Sequence, residues 1–449
     1  MENKKEFIGV LDLGTTKIVY LLAEKSEEGL SIVDFSEVSS EGMNRGEVIN
    51  VKETANSIKT AIDAVEKDAK IIVDDIIVGI AGYSIETEIV SENIVIGNRE
   101  IQASDLEELE DMVKRQMIDE RYELVNIFLK HYVVIDVNNK EFETLDPVGY
   151  KAKKLYGNFH LVKIIKSTKN LIEESIRFSG KKVKEYILEP IASAKSTLSD
   201  RERELGVVLI DIGGGTSDVA LFSKHKLLLT AVNPIGSEVL TDNIKDAFSI
   251  TYSDAKKLKE ENGSCMPSEI PENTYIEITG VGEGHIAKIS KKELAKVIRS
   301  KVKESMIEPI IGEIEANSID LSNIKEFVIT GGGSMLPGID MAVEFWVGIK
   351  TRIGKVLDKY KLNEEKRMYL QVRKELQKPQ YATVIGLLLY AYEHNLTSLL
   401  LGEKEDIEIK DEGNKKEKLS AKKDKKKKKN FWGKILDGLG EFVDDGGVS

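Results

Sequence analysis

Val10-Leu11-Asp12-Leu13-Gly14-Thr15-Thr16-Lys17-Ile18-Val19 and, 199 positions later, Leu209-Ile210-Asp211-Ile212-Gly213-Gly214-Gly215-Thr216-Ser217-Asp218-Val219 share one plan. Each runs strand, Asp, apolar residue, Gly, small residues, strand. Repetition at about half the chain length predicts two like domains facing each other. A Gly-rich hairpin turn lets backbone amides approach phosphate oxygens closely. The hydroxyls of Thr15, Thr16 and Thr216 add donors. Asp12 and Asp211, one per hairpin, would face each other across a cleft. Carboxylates there suit Mg²⁺, which keeps most of its waters and bridges phosphates. A strand follows each turn, so neither is a Rossmann G-x-G-x-x-G or a Walker A loop, both of which open a helix. One such turn alone reads as an ordinary hairpin; the matched pair points to a nucleotide held between two halves.

A third Gly-rich loop follows another apolar strand: Phe327-Val328-Ile329-Thr330-Gly331-Gly332-Gly333-Ser334-Met335-Leu336-Pro337-Gly338. Bare backbone at Gly331, Gly332 and Gly333 allows a flat base or sugar to lie against it.

The composition agrees with a large globular protein. At 449 residues the chain exceeds one core, and 41% hydrophobic with 32% charged residues excludes a disordered or fibrous chain. A net charge of −12 does not suit nucleic-acid backbone binding. The single cysteine, Cys265, excludes an internal disulfide and a Cys-rich metal site. No window holds 18 uninterrupted apolar residues, so no transmembrane helix is expected. Residues 1–12 lack the apolar run of a signal peptide, so a cytosolic location is expected.

Strand-like and helix-like runs alternate, which reads as α/β. Helices are expected at Thr54 to Ala69, from the capping-box pattern Ser104-Asp105-Leu106-Glu107 to about Met117, at Asn170 to Ser179, Val239 to Phe248 and Ser253 to Glu261, and as one long helix from Lys291 to Ile314. Residues 128–165 read as short β-rich pieces.

The end of the chain differs in character. Lys415 to Lys429 holds ten Lys against Glu417 and Asp424, in a stretch too polar to offset its ordering entropy. Phe431, Trp432, Ile435, Leu436, Leu439 and Phe442 then fall on one helical stripe. Lys425 to Lys429 just upstream suit an anionic lipid surface. The same stripe also serves a helix that docks on its own body or on a partner.

The three Gly-rich motifs, with Leu188-Glu189-Pro190-Ile191-Ala192-Ser193-Ala194 and Tyr381-Ala382-Thr383-Val384-Ile385-Gly386-Leu387-Leu388 between and after them, resemble the actin-like ATPase superfamily of actin, DnaK-type chaperones and sugar kinases. Within it, Val78-Gly79-Ile80-Ala81-Gly82-Tyr83-Ser84-Ile85, Arg99-Glu100-Ile101-Gln102 and Asp146-Pro147-Val148-Gly149-Tyr150 resemble the FtsA family of bacterial cell-division proteins, over about residues 5–395. The resemblance implies a two-domain actin-like α/β fold around a nucleotide cleft, with an insert of the 1C type in the first domain and a C-terminal amphipathic helix. Subdomain 1A would comprise 1–84 and 162–200, 1C 85–161, 2A 201–235 and 306–400, and 2B 236–305, followed by a charged linker over 401–429 and a membrane-targeting helix over 430–445.

ATP with Mg²⁺ would be held by Asp12, Gly14, Thr15, Thr16, Lys17, Gly213, Gly214, Gly215, Thr216, Asp218, Gly236, Gly331, Gly332, Gly333 and Ser334. The metal would fall to Asp12 and Asp211, and weak hydrolysis to Glu189 and Asp211. The partners implied are the C-terminal tail of FtsZ, further copies of the chain, anionic inner-membrane lipid and other division proteins. The basic helix 291–308, with Arg299 and Lys301, would read the acidic FtsZ tail; its charges equally suit a solvated face. The competing class is a small-molecule kinase of the superfamily, for which no base aimed at a hydroxyl is marked. The pilus-assembly protein PilM is a further relative, with no evident use for such a tail.

Overall fold

A computed structural model describes residues 5–116, 119–279, 286–362 and 369–403. Alternating apolar runs and glycine turns build two sheets of one topology. In the first, the strands Glu6–Leu13, Lys17–Ser26 and Gly29–Ser39 form an antiparallel meander. Asp75–Ile80 and Lys182–Leu188 extend it in parallel on the side of Glu6–Leu13. In the second, Val207–Ile212, Ser217–Ser223 and Lys226–Asn233 form the meander, and Glu326–Thr330 and Thr351–Ile353 the parallel extension. The repeat seen in two short motifs therefore covers five strands in each half.

The first sheet is covered on one face by the helices Val51–Ala69 and Lys166–Phe178. On its other face lies Ala382–Glu393, whose Val384, Ile385, Leu388 and Ala391 pack on Ile8, Val10, Val19 and Leu21. The helix Glu189–Thr197 covers the second sheet, where Ala194 joins Leu209, Ala220 and Val328. These two helices cross at the centre of the molecule. The crossing needs a glycine: a Cβ on Gly386 would lie 1.8 Å from the Ala192 carbonyl oxygen.

Between Ile85 and Ile165 a separate antiparallel sheet of four strands packs on the helix Ala103–Gln116 around Leu109, Val113, Leu155 and Phe159. The short pieces expected there are two strands of 15 residues, Tyr122–Asp136 and Lys151–Ile165. Register shifts at Asn158/Phe159 and Val162/Lys163 break the period-2 pattern that would have marked them as continuous. Its helix is also capped differently from expectation. Asp105, not Ser104, does the work: its carboxylate accepts from Gln102 N at 2.8 Å and is gripped by Arg99 with two bonds of 2.6 Å. A capping box that was not anticipated stands at Ser199 and Glu202.

The long helix from Lys291 is interrupted. Lys291–Val302 passes through a π turn, Lys303–Ile307, into Glu308–Ala316. Pro309 lacks the N–H that would bond Ser305 O, and Asn233 Nδ2 takes that carbonyl instead, at 2.9 Å.

Two boundaries move. The second domain does not extend to 400. Val356, Tyr360, Leu376 and the whole Ala382–Glu393 helix belong to the first domain's core, and Lys361–Leu362 pairs with Ser31 and Ile32 on its outer strand. The 382–391 run is apolar nearly all round, as a helix caught between a sheet and another helix must be. Residues 401–403, expected to open the charged linker, instead complete the strand Leu400–Glu403, which pairs with Ile71–Val73. The rest of the linker and the stripe from Phe431 to Phe442 lie outside the described residues. No described helix is long and apolar enough to cross a membrane.

Gly386→Val should therefore lower stability by about 3 kcal/mol or more, the upper range for overpacking, because the added carbons meet backbone. An unchanged melting temperature would show that the two helices do not cross at Gly386.

Candidate functional site

The two hairpins end tip to tip. Gly213 N donates to Thr216 O at 2.9 Å, closing the second turn. A Cβ on Gly214 would stand 2.3 Å from Thr16 Cγ2, and one on Gly215 would stand 2.4 Å from Thr15 Oγ1. Glycine is required because a loop from one half touches a loop from the other. Thr15 Oγ1 also accepts from Gly46 N at 2.9 Å, which ties the first tip to a neighbouring loop.

Behind the tips lies a cleft of roughly 780 Å³, part of it open to solvent. It is lined by Asp12, Gly14, Thr15, Thr16, Lys17, Glu189, Asp211, Gly213, Gly214, Gly215, Thr216, Asp218, Gly331, Gly332 and Gly333, all expected from sequence. Two expected residues do not face it. Gly236 supports the second hairpin from behind, where a Cβ would meet Gly214 O at 2.4 Å. Ser334 is buried and donates its hydroxyl to Gly331 O at 2.7 Å, bracing the third loop from inside. Gly46, Ala81, Ser237, Gln380 and Thr383 also line the cleft and were not anticipated. Thr383 and Ser193 stood in segments read only for helix packing. Both donate to Asp211 Oδ2, Thr383 at 3.0 Å, and so fix its carboxylate.

Among the described residues, four carboxylates, Asp12, Glu189, Asp211 and Asp218, converge on this cleft, and Lys17 is the only basic side chain lining it. Lys17 is already engaged: its Nζ lies 2.9 Å from both Glu37 Oε2 and Gln380 O and 4.4 Å from the Tyr381 ring centroid. Burial pushes Asp12 up to about 7; Lys17 opposes this, while Asp211 and Glu37 add to it. Burial and the charges of Asp12, Asp218 and Asp211 hold Glu189 well above the usual carboxylate range. Asp218 is raised by burial and by Asp211, although Thr216 donates to it at 2.8 Å. Asp211 is raised by burial, against the bonds from Ser193 and Thr383.

This is a site short of positive charge. Asp218 Oδ1 is buried without a partner. Among the described residues, no three side chains of metal-ligating type stand close enough to chelate a cation by themselves. A divalent ion that keeps its waters and shares its coordination with phosphates fits such a donor set, whereas a dry protein-only metal site does not. The glycine-lined tips supply backbone amides where phosphate oxygens would sit.

Arg299 and Lys301 lie apart, on Lys291–Val302. Arg299 serves the fold: Nη1 donates to Cys265 O at 2.9 Å, and the guanidinium carbon lies 5.0 Å from the Trp346 ring and 5.4 Å from the Phe345 ring. Lys301 is half-buried.

Comparison with known proteins agrees with this architecture. The family model described as cell division protein FtsA matches residues 208–386. The cell division protein FtsA of Pseudomonas aeruginosa is 29% identical over 395 residues, covering 88% of this chain and 91% of that protein. That of Bacillus subtilis is 26% identical over 392 residues, covering 87% and 84%. Among solved structures, the PilM-PilN type IV pilus biogenesis complex aligns with a TM-score of 0.61 at 14% identity, covering 86% of this chain and 98% of that one, which speaks to fold alone. The resemblance to FtsA and the actin-like fold expected from the motifs are both borne out.

Two outcomes test the cleft. A Cβ on Gly332 would meet nothing within 4 Å. Gly332→Asp should therefore leave the fold intact and, by adding a fifth carboxylate, weaken ATP binding by roughly a hundredfold. Wild-type affinity by titration calorimetry would remove the third loop from the site. The second outcome is a pH dependence. Asp12 binds its proton more tightly folded, at about 7, than at its ordinary 3.8. Its contribution to stability is thus present below about pH 4 and lost as pH rises through 7. Without nucleotide or metal, wild-type stability relative to Asp12→Asn should fall across that window. A flat difference in melting temperature would contradict the burial of an uncompensated carboxylate.

Proposed function

We propose that this protein binds ATP with Mg²⁺ between its two halves, assembles into actin-like filaments, and anchors the FtsZ ring to the inner face of the cytoplasmic membrane at the division site. The observation that carries the nucleotide reading is the meeting of two glycine-rich hairpins, one per half, above the buried carboxylates of Asp12, Asp211 and Asp218 and the half-buried Glu189. The likeness to FtsA proteins over most of the chain supports the role in division.

The cleft's own residues define the mechanism. The hairpin amides and the hydroxyls of Thr15 and Thr16 would receive phosphate oxygens, and the Thr216 hydroxyl, which donates to Asp218, would join them on giving up that bond. Asp12 and Asp211 would hold a hydrated Mg²⁺, which would supply the missing positive charge. Ser193 and Thr383 keep Asp211 aimed inward. Glu189 orients a water for slow hydrolysis, in the manner of a positioning carboxylate. Because both tips must be in place to grip one ligand, nucleotide would favour the closed arrangement of the two halves over an open one. That is a switch suited to filament assembly, and it needs binding more than turnover. A small-molecule kinase would need a base beside a second substrate, and among the described residues lining this cleft no histidine stands ready for that role.

The tether would be the stripe Phe431, Trp432, Ile435, Leu436, Leu439 and Phe442, assisted by Lys425 to Lys429. Capture of an acidic FtsZ tail would fall to the basic helix with Lys301. Arg299 is committed to Cys265 and the Trp346 ring, so its reversal would disturb packing as well as charge. Lys301 is the cleaner test.

Reconstitution on anionic vesicles checks both attachments. The wild-type protein should bring FtsZ to the vesicles. Trp432→Glu should abolish this by releasing the protein from lipid. Lys301→Glu should leave the protein on lipid and weaken FtsZ capture several-fold, more so at low salt. FtsZ recruitment that survives Trp432→Glu would overturn the tether, and recruitment indifferent to Lys301→Glu would move the partner site.

A further inference from the structure

The described chain ends on a surface that exposes large apolar side chains. In Leu400–Glu403, Leu400 turns toward the core beside Ile71, while Leu399 and Leu401 stand outside, 58% and 59% exposed. The helix Lys166–Phe178 packs on the same first sheet and ends just before the strand Lys182–Leu188. There Phe178 is 52% exposed, with the Arg177 guanidinium carbon 4.8 Å from its ring. Short contacts join the two places. Lys181 Nζ donates to Val73 O at 2.5 Å, and Val73 pairs with Leu400. Lys182 N donates to Asp74 O at 3.1 Å, and Asp74 N donates to Leu399 O at 2.8 Å.

We propose that this face, formed by Phe178, Leu399 and Leu401 with Arg177 and Lys182 at its edge, is a second membrane contact that lays the first domain against the lipid surface. The inference rests on the reading of the C-terminal stripe as the lipid tether. The position of the chain exit selects lipid as the occupant. In the sequence, residues 404–429 join the end of Leu400–Glu403 to the segment that carries the stripe. A random coil of that length would span about 30 Å on average, from 5–6 Å times the root of the residue number, and more where its like charges repel. The surface that holds the stripe is therefore always within reach of Phe178, Leu399 and Leu401, at high effective concentration. Arg177 and Lys182 already have carboxylate neighbours, Glu174 at 3.7 Å and Asp74 at 2.7 Å. Shallow insertion of the apolar side chains, rather than net charge, carries the contact. Its strength changes little with salt, unlike that of the lysine run.

Cys265 is fully buried and is the chain's only cysteine, so an introduced surface cysteine is the accessible thiol. Leu401→Cys and Phe178→Cys, each carrying an environment-sensitive fluorophore in the full-length protein, are titrated with vesicles of phosphatidylglycerol and phosphatidylcholine. Leu205→Cys, on the second domain and 49% exposed in the native residue, is the reference position. Blue-shifted, brighter emission at 178 and 401 but not at 205 is the expected result. Substituting Phe178, Leu399 and Leu401 together by Ser should weaken co-sedimentation roughly three- to tenfold, equally at low and high salt. Unaltered emission at 178 and 401 while the protein co-sediments would overturn the second contact and leave the tether standing. A shift that is present without vesicles and lost in a chain ending at Glu403 would overturn it in favour of the stripe docking on its own body. Failure of the wild-type protein to co-sediment at all would overturn the tether and this contact together.

Discussion

Two glycine-rich turns, one from each half of the molecule, touch at Thr15–Thr16 and Gly214–Gly215, and this contact dictates much of the surrounding design. No side chain can be added at Gly214 or Gly215 without pushing the first turn away. The turns can meet only if the two sheets behind them are held at a fixed separation. That spacing is set by the crossed helices Glu189–Thr197 and Ala382–Glu393, and Gly386 lets them approach to backbone contact. The chain must then cross back: after serving the second sheet it returns to pack on Ile8, Val10 and Leu21 of the first. Each half is thus covered by a helix that also touches the other half's helix.

The electrostatics carry the geometry into chemistry. Four carboxylates gathered around one engaged lysine form an arrangement that is unfavourable in isolation. Burial raises their proton affinities, and a cation-bearing ligand would offset the repulsion among all four at once. Ser193 and Thr383 come one from each crossed helix, and both bond Asp211. A change in the helix crossing would therefore be felt at that carboxylate, and a ligand held there would be felt at the crossing.

Much of the site was legible because its chemistry is local. Asp12, the glycines of the two turns and the Gly331–Gly333 loop announce themselves within ten residues each, and all of them line the cleft. What escaped notice depends on contacts between distant segments. Ser193 and Thr383 are 190 positions apart and acquire their role only when two helices cross. Gly236 and Ser334 belong to the right motifs but brace them from behind. Asp105 displaced Ser104 as the cap because Arg99 holds it in place. The return of residues 356–362 and 369–400 to the first domain follows from where an all-round apolar helix can be buried, which its own sequence does not specify. The insert's strands read as fragments because irregular register breaks their alternation.

The most direct test of the account is hydrogen exchange at the amides of residues 13–17 and 213–217 with and without MgATP. The account predicts that both turns gain protection together, that Gly332→Asp removes the effect, and that ATP with a chelator protects them less. Protection of one turn alone, or of neither while nucleotide is bound, would contradict a ligand gripped between the two halves.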